Sequence, residues 1–288
     1  ENKINKFFLL PQKATGEDFK SKIGKVFKNL RYNKLDLQFV TAPENIAWLL
    51  NIRGNDSKFA PIPKGYLLID KKNKINFFCD LRKLDNQILK KMKKINFVDI
   101  KNIENSISKI RNKSVQIDKN TCSIFFKSIL KKRNKLTETQ DPIYYLKSIK
   151  NRIEIKNITK SHIYDGVALT KFLFWIKNNF QKKRITELSA QEKLFKFRKN
   201  NKTFVSLSFP TISGSGPNGA IIHYKANPKT NRVLKKGDIY LIDSGGQYKF
   251  GTTDVTRTIS LKNNNKRIRN IFTKVLKGHI AVCNFKLK

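Results

Sequence analysis

Two acidic residues stand out by type and spacing. Asp243 and Asp254 lie in the run YLIDSGGQYKFGTTDVTRTI, where β-type segments are broken by glycines. Phe250-Gly251 is the expected turn, because glycine accepts the positive φ that a tight hairpin demands. In a hairpin with a two-residue loop, paired positions have an odd sum and each face takes every second side chain. Residues 243 and 254 are therefore expected on one face. A turn at Phe250-Gly251 sets Asp254 opposite Gln247, about 13 Å along the strand from Asp243. A turn at Tyr248-Lys249, or a bulge among the glycines, brings the two acids opposite each other instead. Carboxylates sharing a dry cleft repel, which raises a pKa unless a cation intervenes. A pair of divalent ions resolves that conflict. Asp oxygens suit Mn, Co or Zn, and a site of carboxylates alone leans towards Mg or Ca. The plainer reading is that an Asp beside Gly and Thr forms a turn or faces solvent.

His223, in AIIHY, is either a hydrogen-bonded strand histidine or an imidazole able to meet a substrate carbonyl or oxyanion. Thr253 and Thr256 either hydrogen-bond the two acids or serve as strand formers. His162 and Asp165, three apart on a helix, pair on its surface as local structure. Gly214, Gly216, Pro217 and Gly219 form a tight turn: no Gly-Lys-Ser/Thr follows, so a phosphate cradle is excluded. Asn51, Arg53 and Gly54 form either a lip over a cleft or a surface ion pair.

The elements that must position these residues fall into two groups. Apolar spacing predicts a helix over 16–30, a strand over 35–40 and a short helix opened by Pro43 and capped by Thr41. GYLLID and INFFCD make a hairpin. Helices near 82–92 and 102–111 flank a strand at INFVDI, and SVQID leads into a helix from near Asn120. The residue before a proline is steered away from helix, so Asp141-Pro142 marks the expected boundary between domains at 1–140 and 141–288. Beyond it a long helix spans 153–180. A second helix follows, with Ser189 to Glu192 as the best capping spacing. From Phe204 the pattern is β, AIIHY included, until a last helix from about Lys266.

The hydrophobic content of 39% and aromatic content of 11% require a folded core, and 288 residues favour two domains. The net charge of +40 invites a polyanion as partner. However, the lysines are spread evenly among Asn and Ile, with no stripe, Arg-rich arm or RNA motif, so no specific nucleic-acid partner is expected. Cys79, Cys122 and Cys283 form no CxxC pair, which fits a reducing cytoplasm. No apolar run reaches membrane-span length.

Taken together, FPTISGSGPNGAIIHY and GDIYLIDSGGQYKFGTTDVTRTI resemble the catalytic domain of three-domain Xaa-Pro aminopeptidases. AWLLNIRGND, IKNRIEI and HIYDGVAL extend the resemblance over about residues 35–282, and 209–259 is its most specific stretch. The resemblance implies an α/β and α+β chain: a creatinase-N-like α/β domain followed by a truncated pita-bread domain, with an N-terminal domain missing. It implies that Asp243 is the terminal ligand and Asp254 the bridging ligand of a dinuclear site. The ions would be two divalent metals, Mn first, with Zn or Co as alternatives. His223 matches the histidine that lines the substrate cleft. A further His and two Glu, one of them the general base, would lie beyond Lys288, so the fragment alone is expected to be inactive and no catalytic residue is assigned within it. The implied substrate is a peptide with proline second, and a homodimer stays open. Alternatives are a prolidase or creatinase-like hydrolase, or a non-catalytic pita-bread binding domain.

Overall fold

The computed structural model describes residues 5–262 and 265–286. The chain divides into two compact units, residues 1–161 with 249–251, and residues 162–248 with 252–288. In the first unit, β1 (Phe8–Leu9) and α1 (Gln12–Thr15) precede the amphipathic α2 (Phe19–Tyr32) and β2 (Leu37–Val40). After α3 (Pro43–Leu49), β3 (Ile52–Arg53) returns to pair with β1. The expected hairpin is β4 (Tyr66–Asp70) and β5 (Ile75–Cys79). It is followed by α4 (Asn86–Lys91), β6 (Ile95–Asp99), α5 (Ile103–Ser108), β7 (Ser114–Ile117), α6 (Ile124–Lys131), β8 (Lys135–Glu138) and α7 (Pro142–Ser148).

Six of these strands form one mixed sheet in the order β6-β5-β4-β2-β7-β8. Alternation along each strand feeds two cores. Leu67, Ile69, Ile75 and Phe77 pack with Ile23, Val26 and Leu30 of α2 on one face. Leu68, Phe78, Val115 and Ile117 pack with Ile107 of α5 and Leu130 of α6 on the other. Each such aliphatic side chain, fully buried, contributes roughly 1.5–3 kcal/mol. Two helix starts differ from expectation. Thr41 spends its hydroxyl on Thr121 Oγ1 at 2.8 Å, which leaves Ala42 at the cap of α3. Asp118 captures the N–H groups of Asn120 and Thr121, so α6 begins only after Ser123.

The 28-residue α8 (Arg152–Asn179) is started by a reciprocal cap. Asn151 Oδ1 accepts from the N–H of Glu154, and Glu154 Oε2 accepts from the N–H of Asn151, both at 3.0 Å. In the second unit α9 (Glu187–Lys199) follows. Its capping box uses Thr186 and Ser189, three residues ahead of the expected Ser189-Glu192 spacing.

Strands β9 (Phe204–Leu207), β10 (Ile212–Ser215), β11 (Ile239–Ser244), β12 (Gly246–Tyr248), β13 (Gly251–Thr252) and β14 (Val255–Ser260) form two three-stranded sheets, β10-β11-β14 and β13-β12-β9. The chain then enters α10 (Lys266–Asn284). Tyr240 and Ile242 of β11 pack on Phe172 and Ile176 of α8 and Leu194 of α9. The AIIHY segment is not a strand. Gly216–Ala220 is a 3-10 turn, and His223 sits at φ 56° in the left-handed region, which breaks the extended run expected of a β segment.

Candidate functional site

Asp243 sits near the end of β11, with Ile212 of β10 on one side and Thr256 of β14 on the other. Along β11, Tyr240, Ile242 and Ser244 are buried, while Ile239, Leu241 and Asp243 are half-buried on the opposite face. The β11–β14 register of Asp243 to Thr256 and Ser244 to Val255 continues past the strand ends. There the Thr253 N–H donates to Gly246 O, and Thr253 Oγ1 accepts from the Gly246 N–H, both at 2.9 Å.

This register fixes the turn at Lys249-Phe250, one residue earlier than the glycine pattern indicated. Asp254 lies just before β14, two residues ahead of Thr256. Regular alternation carried back from Thr256 would set it on the Asp243 face as a diagonal neighbour, at about 7–8 Å between Cα atoms. Asp254 is exposed. Asp243 Oδ1 is buried and has no hydrogen-bond partner among the described residues. A carboxylate oxygen taken from water without a donor is costly, so a cation is the natural complement. Among the described residues no three His, Cys, Asp or Glu gather as a ligand set.

Thr253 is buried and occupied by the ladder rather than by either acid, and Thr256 is exposed. Arg257 Nη1 donates to the carbonyl of Thr256 at 2.7 Å. His223 is exposed on the loop after the 3-10 turn, and no hydrogen bond links it to Asp243 or Asp254. The Gly-rich loop is a close backbone packing site. A Cβ on Gly214 would lie 2.8 Å from the backbone of Gly219.

Sequence reasoning missed two buried polar clusters. Asp165 is not on the helix surface, for Arg198 of α9 grips it through Nε to Oδ1 at 2.7 Å and Nη2 to Oδ2 at 3.0 Å. Tyr248 OH adds a third bond to Oδ1 at 2.8 Å. Burial, with Asp165 beside it, pushes the Tyr248 phenol up. Glu187 is fully buried and accepts from the N–H of Ser215 at 2.7 Å and from Tyr224 OH at 2.8 Å. The one sequence hint to the first cluster was Asp165 within HIYDGVAL.

In the first unit, NIRG makes no surface ion pair among the described residues, and its polar groups are held internally. Asn51 is buried and accepts from Lys22 Nζ at 2.8 Å, and Arg53 Nη1 donates to the carbonyls of Ala47 and Ile52 at 2.6 and 3.0 Å. Burial pushes the Arg53 guanidinium down to about 10, against the opposing pull of Glu154.

A mixed α/β unit followed by an α+β unit with acids on one hairpin face is the architecture of the creatinase-type, pita-bread hydrolases. Residues 1–154 match the family model for the creatinase/prolidase N-terminal domain and residues 156–288 that for metallopeptidase family M24. The chain belongs to the creatinase/prolidase family, and the fold expected from the sequence is borne out.

Among curated relatives, "Xaa-Pro aminopeptidase 1" of Dictyostelium discoideum is 35% identical over 98% of this chain and 46% of its own length. "Xaa-Pro aminopeptidase ApepP" of Drosophila melanogaster is 36% identical over 96% of this chain and 46% of its own. The crystal structure of X-prolyl aminopeptidase from Caenorhabditis elegans, described as a cytosolic enzyme with a di-nuclear active site, superposes with a TM-score of 0.89. It is 30% identical over 96% of this chain and 46% of that one. Prolidase from Pyrococcus furiosus, 24% identical with a TM-score of 0.67 over 87% of this chain and 69% of its own, shares the fold. The chain spans about half the length of the curated relatives it matches.

Proposed function

We propose that the complete protein is a metal-dependent Xaa-Pro aminopeptidase that removes the N-terminal residue from peptides with proline second. The observation that carries this reading is the buried Oδ1 of Asp243, which has no hydrogen-bond partner among the described residues, on the β11 face that pairs with Thr256 two residues from Asp254. Support also comes from relatives named Xaa-Pro aminopeptidases and from the dinuclear site ascribed to the Caenorhabditis elegans enzyme. In this reading Asp243 and Asp254, which match the terminal and bridging ligands of a dinuclear site, would hold two divalent ions, manganese first, with zinc or cobalt as alternatives. When bound, such a pair lowers the pKa of a shared water and polarises the scissile carbonyl. His223 faces the substrate, where its imidazole donates to the carbonyl oxygen and to the oxyanion that develops from it.

A cytoplasmic setting suits three unpaired cysteines and, among the described residues, the absence of any helix long and apolar enough to cross a membrane. The test is Asp243→Asn in the complete protein. Bound metal and hydrolysis of a tripeptide with proline second should both fall by more than about a hundredfold, since a lost ligand costs at least as much as a lost outer-shell partner. Unchanged metal content and rate would overturn the reading. Cleavage confined to Xaa-Pro dipeptides would move it to a prolidase.

A further inference from the structure

We infer that Glu187 is a positioning residue whose buried carboxylate fixes the loop that presents His223. This rests on the reading of His223 as a substrate-facing residue. Glu187 lies in the first turn of α9 with no exposed surface, and its two oxygens gather donors from four residues spread over 215–232. Oε1 accepts from the N–H of Ser215 at 2.7 Å and from Asn218 Nδ2 at 3.0 Å. Oε2 accepts from Tyr224 OH at 2.8 Å and from the N–H of Arg232 at 3.0 Å. The main chain of Glu187 joins in, with its N–H donating to Arg232 O at 3.0 Å and its carbonyl accepting from Ser213 Oγ at 2.8 Å.

Two of these anchors bracket the histidine. Asn218 and Tyr224 stand on either side of the excursion that carries His223, and Asn218 Nδ2 also donates to Tyr224 OH at 2.8 Å. Between them Ile222 is 85% exposed and His223 takes its left-handed φ, whereas Tyr224 is only 6% exposed. An apolar residue thrust into water beside a strained backbone does not hold itself in place. The tether at both ends is what holds it. Burial raises the Tyr224 pKa, and Glu187 raises it further, so the hydroxyl stays a donor.

An ionised carboxylate offers about four acceptor directions, and here four donors occupy them. The amide of a glutamine turns one end into a donor, so Glu187→Gln sets its NH2 against at least one N–H that it cannot accept.

The experiment uses the complete, metal-loaded protein with Glu187→Gln, Tyr224→Phe as a milder variant that keeps the ring, and each combined with His223→Ala. Both single variants are expected to lower kcat/KM for a peptide with proline second by about tenfold or more, mainly in kcat, with metal content unchanged. Added to His223→Ala they should change kcat/KM no further, because the residue they position is gone. Amide hydrogen exchange across 215–224 should quicken by about tenfold or more in both. Unchanged exchange, or an effect of Glu187→Gln that multiplies fully onto His223→Ala, would overturn the inference. A His223→Ala variant with full activity would instead sink the reading of His223, and the exchange result would still decide whether Glu187 holds the loop.

Discussion

The ion pair of Asp165 and Arg198 should dominate the stability of the second unit. Arg198 has no exposed surface and the Asp165 side chain is 3% exposed, so neither charge is screened by water. Their contact is a two-pronged fork, with Tyr248 as a third ligand of the carboxylate. Arg198→Met leaves the carboxylate buried with only a phenol as partner, which should cost about 3–5 kcal/mol. Tyr248→Phe keeps the edge-on contact of its ring with Phe204 and loses one bond to a charged acceptor, about 1.5–3 kcal/mol. Asp165→Leu combined with Arg198→Met strands only the Tyr248 hydroxyl. It should therefore cost less than the sum of its parts, by a coupling of about 2–3 kcal/mol. Urea unfolding can follow Trp175, which stacks on Phe172 in this unit, in a Trp48→Phe background. A loss below about 1 kcal/mol for Arg198→Met, or a cycle additive within about 0.5 kcal/mol, would mean that the pair does not carry this stability.

Gly245→Ala should strain the hairpin beside Asp254. Its Cβ would lie 1.9 Å from Thr253 O and 2.3 Å from Ser208 Oγ, so a drop of about 1–3 kcal/mol in stability together with weaker metal binding is expected, by thermal melting and metal analysis. Burial pushes the Lys22 ammonium down to about 8, against an unfolded value near 10.4. Below pH 8 both states hold the proton and the burial penalty is complete. Above it the folded state releases the proton first, so stability rises with pH up to about 10.4. Wild type should gain about 2 kcal/mol on Lys22→Met between pH 7 and 10, and parallel pH curves would contradict this. Buried Cys79, its thiol pushed up to about 12 by burial, should resist iodoacetamide until unfolding, whereas exposed Cys283 alkylates in the native state.

Local patterns made much of the architecture readable. GYLLID-KKNK-INFFCD folds as the β4–β5 hairpin, and IYLIDS, read as β, is a strand with one buried face. The long helical stretch is α8 within one residue at each end. AIIHY misled because β-type composition reports on side chains, while a strand also needs a partner, and here the backbone turns left at His223. The hairpin turn was misplaced by one residue because Gly251 looked like a turn glycine yet lies in β13. Asp165, Arg198 and Glu187 were opaque for a different reason. A buried charge is recognised by its partners, and these lie 33 residues away for Asp165 and 28 or more for Glu187. Nothing in the intervening sequence encodes that pairing.

We propose that Asp243 and Asp254 jointly hold metal. Anomalous diffraction at the manganese edge from crystals of the complete protein grown with Mn tests it directly. Two anomalous peaks are predicted beside the carboxylates of Asp243 and Asp254. Asp243 Oδ1 hydrogen-bonded to protein, with no anomalous density near it, would contradict the account.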